Sequence, residues 1–175
     1  MPSRNLLLAS LMMSLTVSML PASAIATDAS KLRITSEAIS EGATIPTQFT
    51  CSGANQSPPL SFSGIPEGTK SLALLMDDPD ALNGTFVHWV AYDIPPTSSG
   101  FATGKVEGKQ GVNSVGEASY MGPCPPPGKP HHYHFRLFAL DAPPTLGANP
   151  DAQAVRDAMK GHVKANAELV GIFER

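Results

Sequence analysis

The sequence has few charged residues, few aromatic residues and only two cysteines. Charged side chains make up 15% of the 175 residues, aromatic side chains make up 6%, and the formal net charge is −3. No cluster of lysine or arginine occurs, so the electrostatic footprint of a nucleic-acid-binding protein is missing. We therefore expect no nucleic-acid partner.

Several motifs that indicate an enzyme or a metal site are also missing. The chain contains no Gly-x-Ser-x-Gly elbow, no phosphate-cradling P-loop and no Cys-x-x-Cys or Glu-x-x-His pattern. Histidines occur at 131, 132 and 134, and two histidines two positions apart on a strand can chelate zinc. Because further ligands are not evident, the sequence predicts neither a metal nor a cofactor.

The first 26 residues differ in composition from the rest of the chain. Arg4 supplies a positive charge, residues 6–20 are uncharged and mostly apolar, and residues 22–24 and 24–26 both fit the small-x-small cleavage rule. The apolar run is shorter than the roughly 20 residues that span a bilayer. A cleaved signal peptide is therefore favoured over a membrane anchor.

This pattern predicts a secretory signal peptide over residues 1–26 and one domain over residues 27–175. We expect the mature chain in the periplasm or outside the cell, without stable membrane insertion. No cysteine follows the apolar run, so a lipid anchor is not indicated.

Two apolar runs flank a turn rich in carboxylates near the middle of the chain. Residues 72–76 are apolar, Asp77, Asp78 and Asp80 follow, and the second run holds His88. Continuous apolar runs indicate strands buried on both faces, and the Asn-Gly pair between them favours a turn. The pattern predicts two central strands that meet at an acidic loop, with His88 near its mouth.

A proline-rich segment, residues 120–130, precedes a third strand at residues 131–140. Alternation along that strand places His131 and Tyr133 on one face. If the strands end on the same side of a sheet, these groups converge with the acidic loop. The alternative is a set of solvated acids and a histidine hydrogen-bonded inside the sheet, and spacing alone does not decide between them.

Shorter patterns predict the remaining elements. Strands are expected over residues 31–39 and 60–62, an edge strand or irregular extension over residues 42–49, a long surface loop over residues 95–119, and a short final strand over residues 169–173. Asn149 is the expected N-cap of a helix, with Pro150 at its first position. Val155, Met159 and Val163 recur at four-residue spacing and form its expected apolar stripe.

Three blocks of sequence match one family pattern. They are residues 51–60, then Asp78-Pro-Asp80-Ala with His88-Trp89, then residues 120–128 running into His131-x-Tyr133. Together they resemble the phosphatidylethanolamine-binding protein family, specifically its bacterial branch of Raf-kinase-inhibitor-like proteins. The resemblance spans the mature chain and implies a mostly β fold: an antiparallel sandwich of a large and a smaller sheet with a C-terminal helix.

The resemblance also implies a small pocket at one edge of the large sheet that accepts phosphate or phosphorylated head groups. Carried over residue by residue, its ligand-binding positions are Asp78, Asp80, His88, His131 and Tyr133, with Tyr120, Gly122, Pro123 and Pro126 in its wall. Leu82 stands where the family usually has proline, and Val87 where it usually has an aromatic residue or histidine. Both are expected to alter the rim.

Carboxylates in such a pocket raise an electrostatic problem, because like charges ~4 Å apart repel by about 1–4 kcal/mol. One solution is that the carboxylates hold His88 and His131 protonated. The other is that Asp80 contacts the ammonium of a zwitterionic head group while the histidines contact its phosphate. Both describe a binding site, since a nucleophile with an activating base is not evident.

The expected function is therefore binding of a small anionic or phosphorylated ligand, with modulation or inhibition of a partner protein as a further expectation. A hydrolase that uses Asp80 and His88 as an acid/base pair is the alternative. A structural protein with a vestigial pocket is a third reading. The partner protein and homodimer formation stay open.

Cys51 and Cys124 are expected to form a disulfide. They are the only cysteines, each lies in a block of the family pattern, and the signal peptide directs the chain to an oxidising compartment. The bridge would tie the loop before Leu60 to the pocket wall. The alternative is two separate buried thiols.

The first prediction concerns export. Protein recovered from the periplasm should begin just after Ala24 or Ala26, because both positions follow the cleavage rule. Intact-mass measurement distinguishes these two products from each other. A full-length chain beginning at Met1 in the membrane fraction would contradict the prediction.

Overall fold

The computed structural model describes residues 31–175, so the predicted signal peptide lies outside the described residues. This part of the chain forms nine strands, one α-helix and a 3-10 helix over Thr47–Phe49. The main elements are β1 (Arg33–Thr35), β2 (Ala43–Thr44), β3 (Leu60–Ser63), β4 (Ser71–Asp78), β5 (Phe86–Ile94), β6 (Gly100–Phe101), β7 (Lys109–Gly111), β8 (His131–Leu140), α1 (Ala152–Ala158) and β9 (Val163–Phe173).

The strands form a large sheet in the order β2-β9-β8-β4-β5-β7 and a small sheet in the order β1-β3-β6. The strand pairs are antiparallel except for β2 with β9, which run parallel. The mostly β fold with a large and a smaller sheet, predicted from the sequence, is confirmed. The helix precedes the last strand rather than ending the chain.

Strand β4 lies at the centre of the large sheet and is buried along its whole length. Leu72, Leu74 and Met76 pack in the core between the two sheets, while Ala73 and Leu75 pack under α1 on the opposite face. Both faces of β4 are covered, which explains why its sequence reads as a continuous apolar run. The predicted central strands are therefore confirmed.

Strand β8 shows the predicted alternation. His131, Tyr133 and Phe135 are buried on one face, whereas His132 is exposed on the other. The strand pairs with β4 on one side and with β9 on the other along nearly its full length. This double pairing fixes the positions of His131 and Tyr133 relative to the end of β4.

The C-terminal helix differs from the prediction. Its N-cap is Asp151, whose side chain accepts a hydrogen bond from the Ala154 N–H at 2.8 Å, so the assignment of Asn149 was wrong. Asn149 has a φ of 50°, and the carbonyl of Pro150 accepts a hydrogen bond from Val112. These contacts tie the segment to the rest of the fold and delay the start of the helix.

The predicted apolar stripe was also wrong at Val163, which begins β9. Gly161 adopts a φ of 80°, and this left-handed residue follows the end of the helix. The predicted final strand, residues 169–173, is the last part of β9. Residues 163–168 are mostly exposed, and their polar residues alternate with small alanines, so they lack the large apolar side chains on which the prediction relied.

Several other predicted elements are shorter than expected. The first strand is limited to β1, because Ser36 leaves the ladder and its hydroxyl donates to the Pro59 carbonyl at 2.6 Å. Residues 42–49 contain only β2 and the 3-10 helix, consistent with the predicted irregular extension. The long loop over residues 95–119 contains two short strands, β6 and β7, as expected.

Asp77 holds α1 against the outer face of the large sheet. Asp77 is 1% exposed. Both Asp77 and Asp78 belong to β4 rather than to the predicted loop. The Nη2 atom of Arg156 donates to Asp77 Oδ2 at 2.6 Å, and Arg136 Nη2 lies 3.6 Å from Asp77 Oδ1. A buried carboxylate needs such partners, because an unpaired charge in the interior is costly.

The predicted disulfide is present between Cys51 and Cys124, whose Cα atoms are 5.4 Å apart. The Cys51 N–H also donates to the Pro123 carbonyl at 3.1 Å. The loop that follows the 3-10 helix is thereby joined to the proline-rich segment.

The second prediction concerns this bridge, which closes a loop with a sequence separation of 73. Replacing both cysteines by serine should lower the free energy of unfolding by up to about 4 kcal/mol, because the unfolded chain regains loop entropy. Denaturant titration measures the change. Reductant should weaken the wild type to a similar extent and leave the variant unaffected. Two free thiols per chain in denatured, unreduced protein would contradict the bridge.

Candidate functional site

A cavity of about 430 Å³ lies where the ends of β4, β5 and β8 meet the proline-rich segment. Of the positions predicted from the sequence, five line it: Asp78, His88, Pro126, His131 and Tyr133. Residues from the turn between β4 and β5, including Leu82, form part of the lining. The predicted pocket residues of β4, β5 and β8 therefore do lie together, because β4 ends where β5 and β8 begin.

Asp78 and His131 form the best-buried polar pair in this cavity lining. Asp78 Oδ2 lies 2.7 Å from His131 Nδ1, and both side chains are at most 5% exposed. The other oxygen of Asp78 accepts the backbone N–H of Asp80 at 2.8 Å. Since both carboxylate oxygens are occupied, Asp78 orients the His131 ring and the turn.

His88 is held by a backbone carbonyl. Its Nδ1 lies 2.8 Å from the carbonyl oxygen of Met121. A carbonyl can only accept, so Nδ1 carries the hydrogen and the other ring nitrogen, Nε2, stays available. The Met121 N–H donates in turn to the His88 carbonyl at 3.0 Å, so the proline-rich segment is bound to β5 at this residue.

Burial lowers the pKa of His88 below its ordinary value. The hydrogen bond to Met121, the nearby backbone of Gly122 and the charges of Asp78 and Asp77 act in the opposite direction but are smaller. This direction disfavours the first of the two electrostatic solutions, in which the carboxylates hold His88 protonated. Loss of hydration of the imidazolium outweighs their attraction.

Tyr133 brings a hydroxyl group to the same cavity. The hydroxyl oxygen is buried and has no hydrogen-bond partner among the described residues. The Tyr133 ring packs edge-on against His88, with ring centres 5.2 Å apart. Burial, together with the charges of Asp78 and Asp80, raises the pKa of Tyr133, so its hydroxyl is a neutral donor. A buried hydroxyl without a partner is rare, so this one is available to bond with water or with a ligand.

Asp80 was predicted to contact the ligand but does not line the cavity. Its Oδ2 accepts the backbone N–H of His132 at 2.9 Å and lies 2.7 Å from His132 Nδ1. These hydrogen bonds lower the pKa of Asp80. The carboxylate follows His132 to the exposed face of β8, because neighbouring residues on a strand point to opposite faces.

Three predicted wall residues also lie outside the lining and support it from behind. The Tyr120 hydroxyl donates to the Phe49 carbonyl at 2.7 Å. The Gly122 N–H donates to Asn55 Oδ1 at 2.8 Å, and a Cβ on Gly122 would clash with the Phe49 carbonyl. Pro123 holds Cys51 through its carbonyl. These contacts fix the backbone that carries Met121.

Three further lining residues were not predicted from the sequence: Phe86, Ser114 and Met121. Cys124 and Pro125, which belong to the predicted proline-rich wall, also line the cavity. Ser114 belongs to the segment read as surface loop, yet its hydroxyl accepts the Val87 N–H at 2.8 Å. Met121 acts through its carbonyl, which has no side-chain signature in a sequence. Val87, expected at the rim, instead faces the opposite side of the sheet and packs near α1.

The three histidines of β8 each pair with a different carboxylate, at 2.7–2.8 Å: Asp78, Asp80 and Glu168. No carboxylate is therefore shared between two of these histidines. Within residues 31–175, no group of three or more His, Cys, Asp or Glu side chains is arranged to hold a metal ion. In the same part of the chain, no helix has the length and apolar character needed to cross a membrane.

Known proteins resemble this chain in sequence and in fold. Residues 35–174 match the family model described as phosphatidylethanolamine-binding protein. The chain belongs to the phosphatidylethanolamine-binding protein family. The predicted family is thereby confirmed, over nearly the whole of the described structure.

Relatives of this family member occur in archaea and bacteria. The UPF0098 protein of Methanothermobacter thermautotrophicus is 42% identical over 151 residues, covering 82% of this chain and 99% of the relative. A protein of Mycobacterium tuberculosis named "Putative lipoprotein LppC" is 44% identical over 153 residues, covering 83% of this chain and 74% of the relative.

Solved structures from the same family share the fold. The crystal structure of Escherichia coli YbcL, a member of the mammalian phosphatidylethanolamine-binding protein family, superposes with a TM-score of 0.77. It is 33% identical and covers 83% of this chain and 99% of YbcL. The homologue CT736 of Chlamydia trachomatis gives a TM-score of 0.80 at 38% identity, with the same coverage.

The third prediction concerns the protonation of His88. In a nitrogen NMR titration, its ring should remain neutral, with hydrogen on Nδ1, at pH values below the ordinary histidine pKa of about 6.5. The unfolded chain then takes up a proton before the folded chain does, so the free energy of unfolding should fall as the pH drops below about 6.5. A His88 ring that is fully charged at pH 7 would contradict both expectations.

Proposed function

We propose that this family member binds small anionic or phosphorylated molecules in the cavity, as an exported protein and without catalysing a reaction. The observation that carries the proposal is the unpaired Tyr133 hydroxyl in the same cavity as His88 and His131. A cavity volume of about 430 Å³ lies within the range of small-molecule sites, roughly 300–1,000 Å³.

The charges around the cavity are compatible with an anion. Asp78 is paired with His131, and its second oxygen is occupied by the Asp80 N–H, so its negative charge is offset within the wall. Asp80 is turned away from the lining, so its carboxylate does not face a bound anion and does not repel it at close range. The hydroxyl of Tyr133 then faces an anionic oxygen as a donor.

Apolar lining surrounds these polar groups. Phe86, Met121, Pro125 and Pro126 offer contact area for the organic part of a phosphorylated molecule. Leu82 lies at the mouth and is 77% exposed. We further propose that a partner protein senses occupancy at this rim, in line with the inhibitor-like name of the bacterial branch.

The hydrolase alternative is less well supported. It pairs Asp80 with His88, but Asp80 is bound to His132 outside the lining, whereas His88 is bound to Met121 inside it. The two proposed acid/base groups therefore do not act on a common ligand in this arrangement. The geometry favours binding over hydrolysis.

Three observations support export. Residues 1–26 have the composition of a signal peptide. The disulfide between Cys51 and Cys124 suits an oxidising compartment, since such bridges are rare in the cytosol. One relative carries a lipoprotein name, which is consistent with family members acting outside the cytoplasm.

The fourth prediction tests the cavity as an anion site. Replacing Tyr133 by Phe should weaken binding of methyl phosphate by about 10- to 100-fold, because a hydrogen bond to a charged group contributes about 1.5–3 kcal/mol. Calorimetric titration at pH 6 measures the affinities of both proteins.

The matched control is Tyr92→Phe, which removes a hydroxyl from β5 at a residue that packs near α1 rather than in the cavity lining. Its affinity should equal that of the wild type. Equal affinity of the Tyr133→Phe variant and the wild type would refute the proposed site.

A further inference from the structure

Resting on the proposed function, we infer that His88 makes the cavity selective for head groups that combine anionic oxygens with a hydrogen-bond donor. A phosphomonoester that carries one proton meets this requirement, because it has one P–OH group and two anionic oxygens. A simple phosphodiester does not, because it has anionic oxygens and no donor. The inference follows from the hydrogen-bond roles that the backbone leaves to the ring of His88.

The donor role of Nδ1 is fixed by its surroundings. Its acceptor, the Met121 carbonyl, lies in a segment held on both sides, by the N–H of Met121 to His88 and by the N–H of Gly122 to Asn55. The disulfide at Cys124 secures the same segment. A ring with hydrogen on Nε2 alone would set a lone pair against the carbonyl, so a neutral His88 presents Nε2 as an acceptor.

The groups packed around His88 do not hold its ring in the protonated form, with a hydrogen on Nε2. Strand β4 contributes the charges of Asp78 and Asp77, β5 contributes the ring of Phe86, and β8 contributes Tyr133 and His131. The carboxylate of Asp78 is already bound to His131. Burial of His88 outweighs both carboxylates and lowers its pKa, so the ring enters the contact uncharged near neutral pH.

An anionic oxygen placed against the lone pair of Nε2 would be repelled. The contact becomes attractive when the ligand itself brings the proton that lies between the two atoms. Tyr133 can meanwhile donate its hydroxyl hydrogen to a second, anionic oxygen of the ligand. One acceptor beside one donor matches the monoanion of a phosphomonoester, and the same acceptor also fits the N–H of an ethanolamine head group.

Four small probes separate these cases in calorimetric titrations of the purified protein. Methyl phosphate and dimethyl phosphate form the main pair, and at pH 5.5 both carry close to one negative charge, since the second pKa of a phosphomonoester is about 6. Methyl phosphate should bind at least tenfold more tightly. Its affinity should then fall by about tenfold per pH unit above pH 7, because binding takes up one proton.

Glycerophosphoethanolamine and glycerophosphocholine form the second pair. Both have glycerol hydroxyl donors, and only the first adds N–H donors. If glycerophosphoethanolamine binds more tightly than glycerophosphocholine, the donor requirement is supported. The ammonium group then supplies the N–H that Nε2 accepts. Equal, weak binding of both also supports it, with the phosphomonoester as the source. Dimethyl phosphate, which has no donor, would overturn it by binding as tightly as methyl phosphate.

Variants and spectroscopy test the role of His88 itself. The His88→Gln variant should lose the pH dependence of methyl phosphate affinity, whereas His132→Ala, on the exposed face of β8, should keep it. Since the His88 variant can fail to fold, nitrogen NMR of the wild type provides a second readout. On addition of methyl phosphate, the Nε2 signal should change from that of a free lone pair to that of a hydrogen-bonded or protonated nitrogen.

The outcomes distinguish this inference from the proposed function. Dimethyl phosphate binding as tightly as methyl phosphate at pH 5.5 would overturn the inference, while weaker binding by Tyr133→Phe would still uphold the site. An unchanged Nε2 signal in the presence of bound methyl phosphate would also overturn it. Absence of binding by all four probes would refute the proposed function, and the inference with it.

Discussion

The hydrogen bond between Asp78 and His131 is the contact on which the cavity depends. It joins the end of β4 to the start of β8 across 53 positions of sequence, with both side chains almost fully buried. A carboxylate at this depth requires a partner, because breaking a buried pair commonly destabilises a protein by about 3–5 kcal/mol. The same carboxylate accepts the Asp80 N–H at the start of the turn between β4 and β5. One pair therefore fixes both the buried polar residues of the cavity and the turn at its entrance.

Asp77 and Asp78 place polar contacts on both faces of β4. They are consecutive on β4, so their side chains point to opposite faces of the sheet. Asp77 contacts Arg156 of α1 on the outer face, while Asp78 contacts His131 on the inner face. The pairing of β4 with β5 shifts register between Met76 and Asp77, where the strand passes from apolar packing to polar contacts. Helix anchoring and site geometry thus share two adjacent residues.

Sequence patterns predicted the parts of this protein that depend on side-chain periodicity. Strands β4, β5 and β8 were predictable because their burial imposes long apolar runs or strict alternation. The patterns were insufficient where backbone atoms decide the outcome. The Met121 carbonyl fixes the ring of His88, and no residue type announces that role. Asp80 was assigned to the cavity by family pattern, but its neighbour His132 binds it on the other face. In the first half of β9 only the small side chains of Ala165 and Ala167 pack against the core, and the strand pairs with β8 along its length.

The division between floor and rim has a consequence for how such a protein diversifies. The polar floor, Asp78, His88, His131 and Tyr133, stands on strands that also carry the hydrophobic core. The rim residues 81–85 lie in the turn between β4 and β5, outside the strands. Loops tolerate substitution and changes in length better than the strands they connect. Mutations in the turn can therefore reshape the entrance with little effect on folding, whereas mutations in the floor change chemistry and stability together. Proteins with this fold can therefore change ligand preference mainly through substitutions in the turn between β4 and β5.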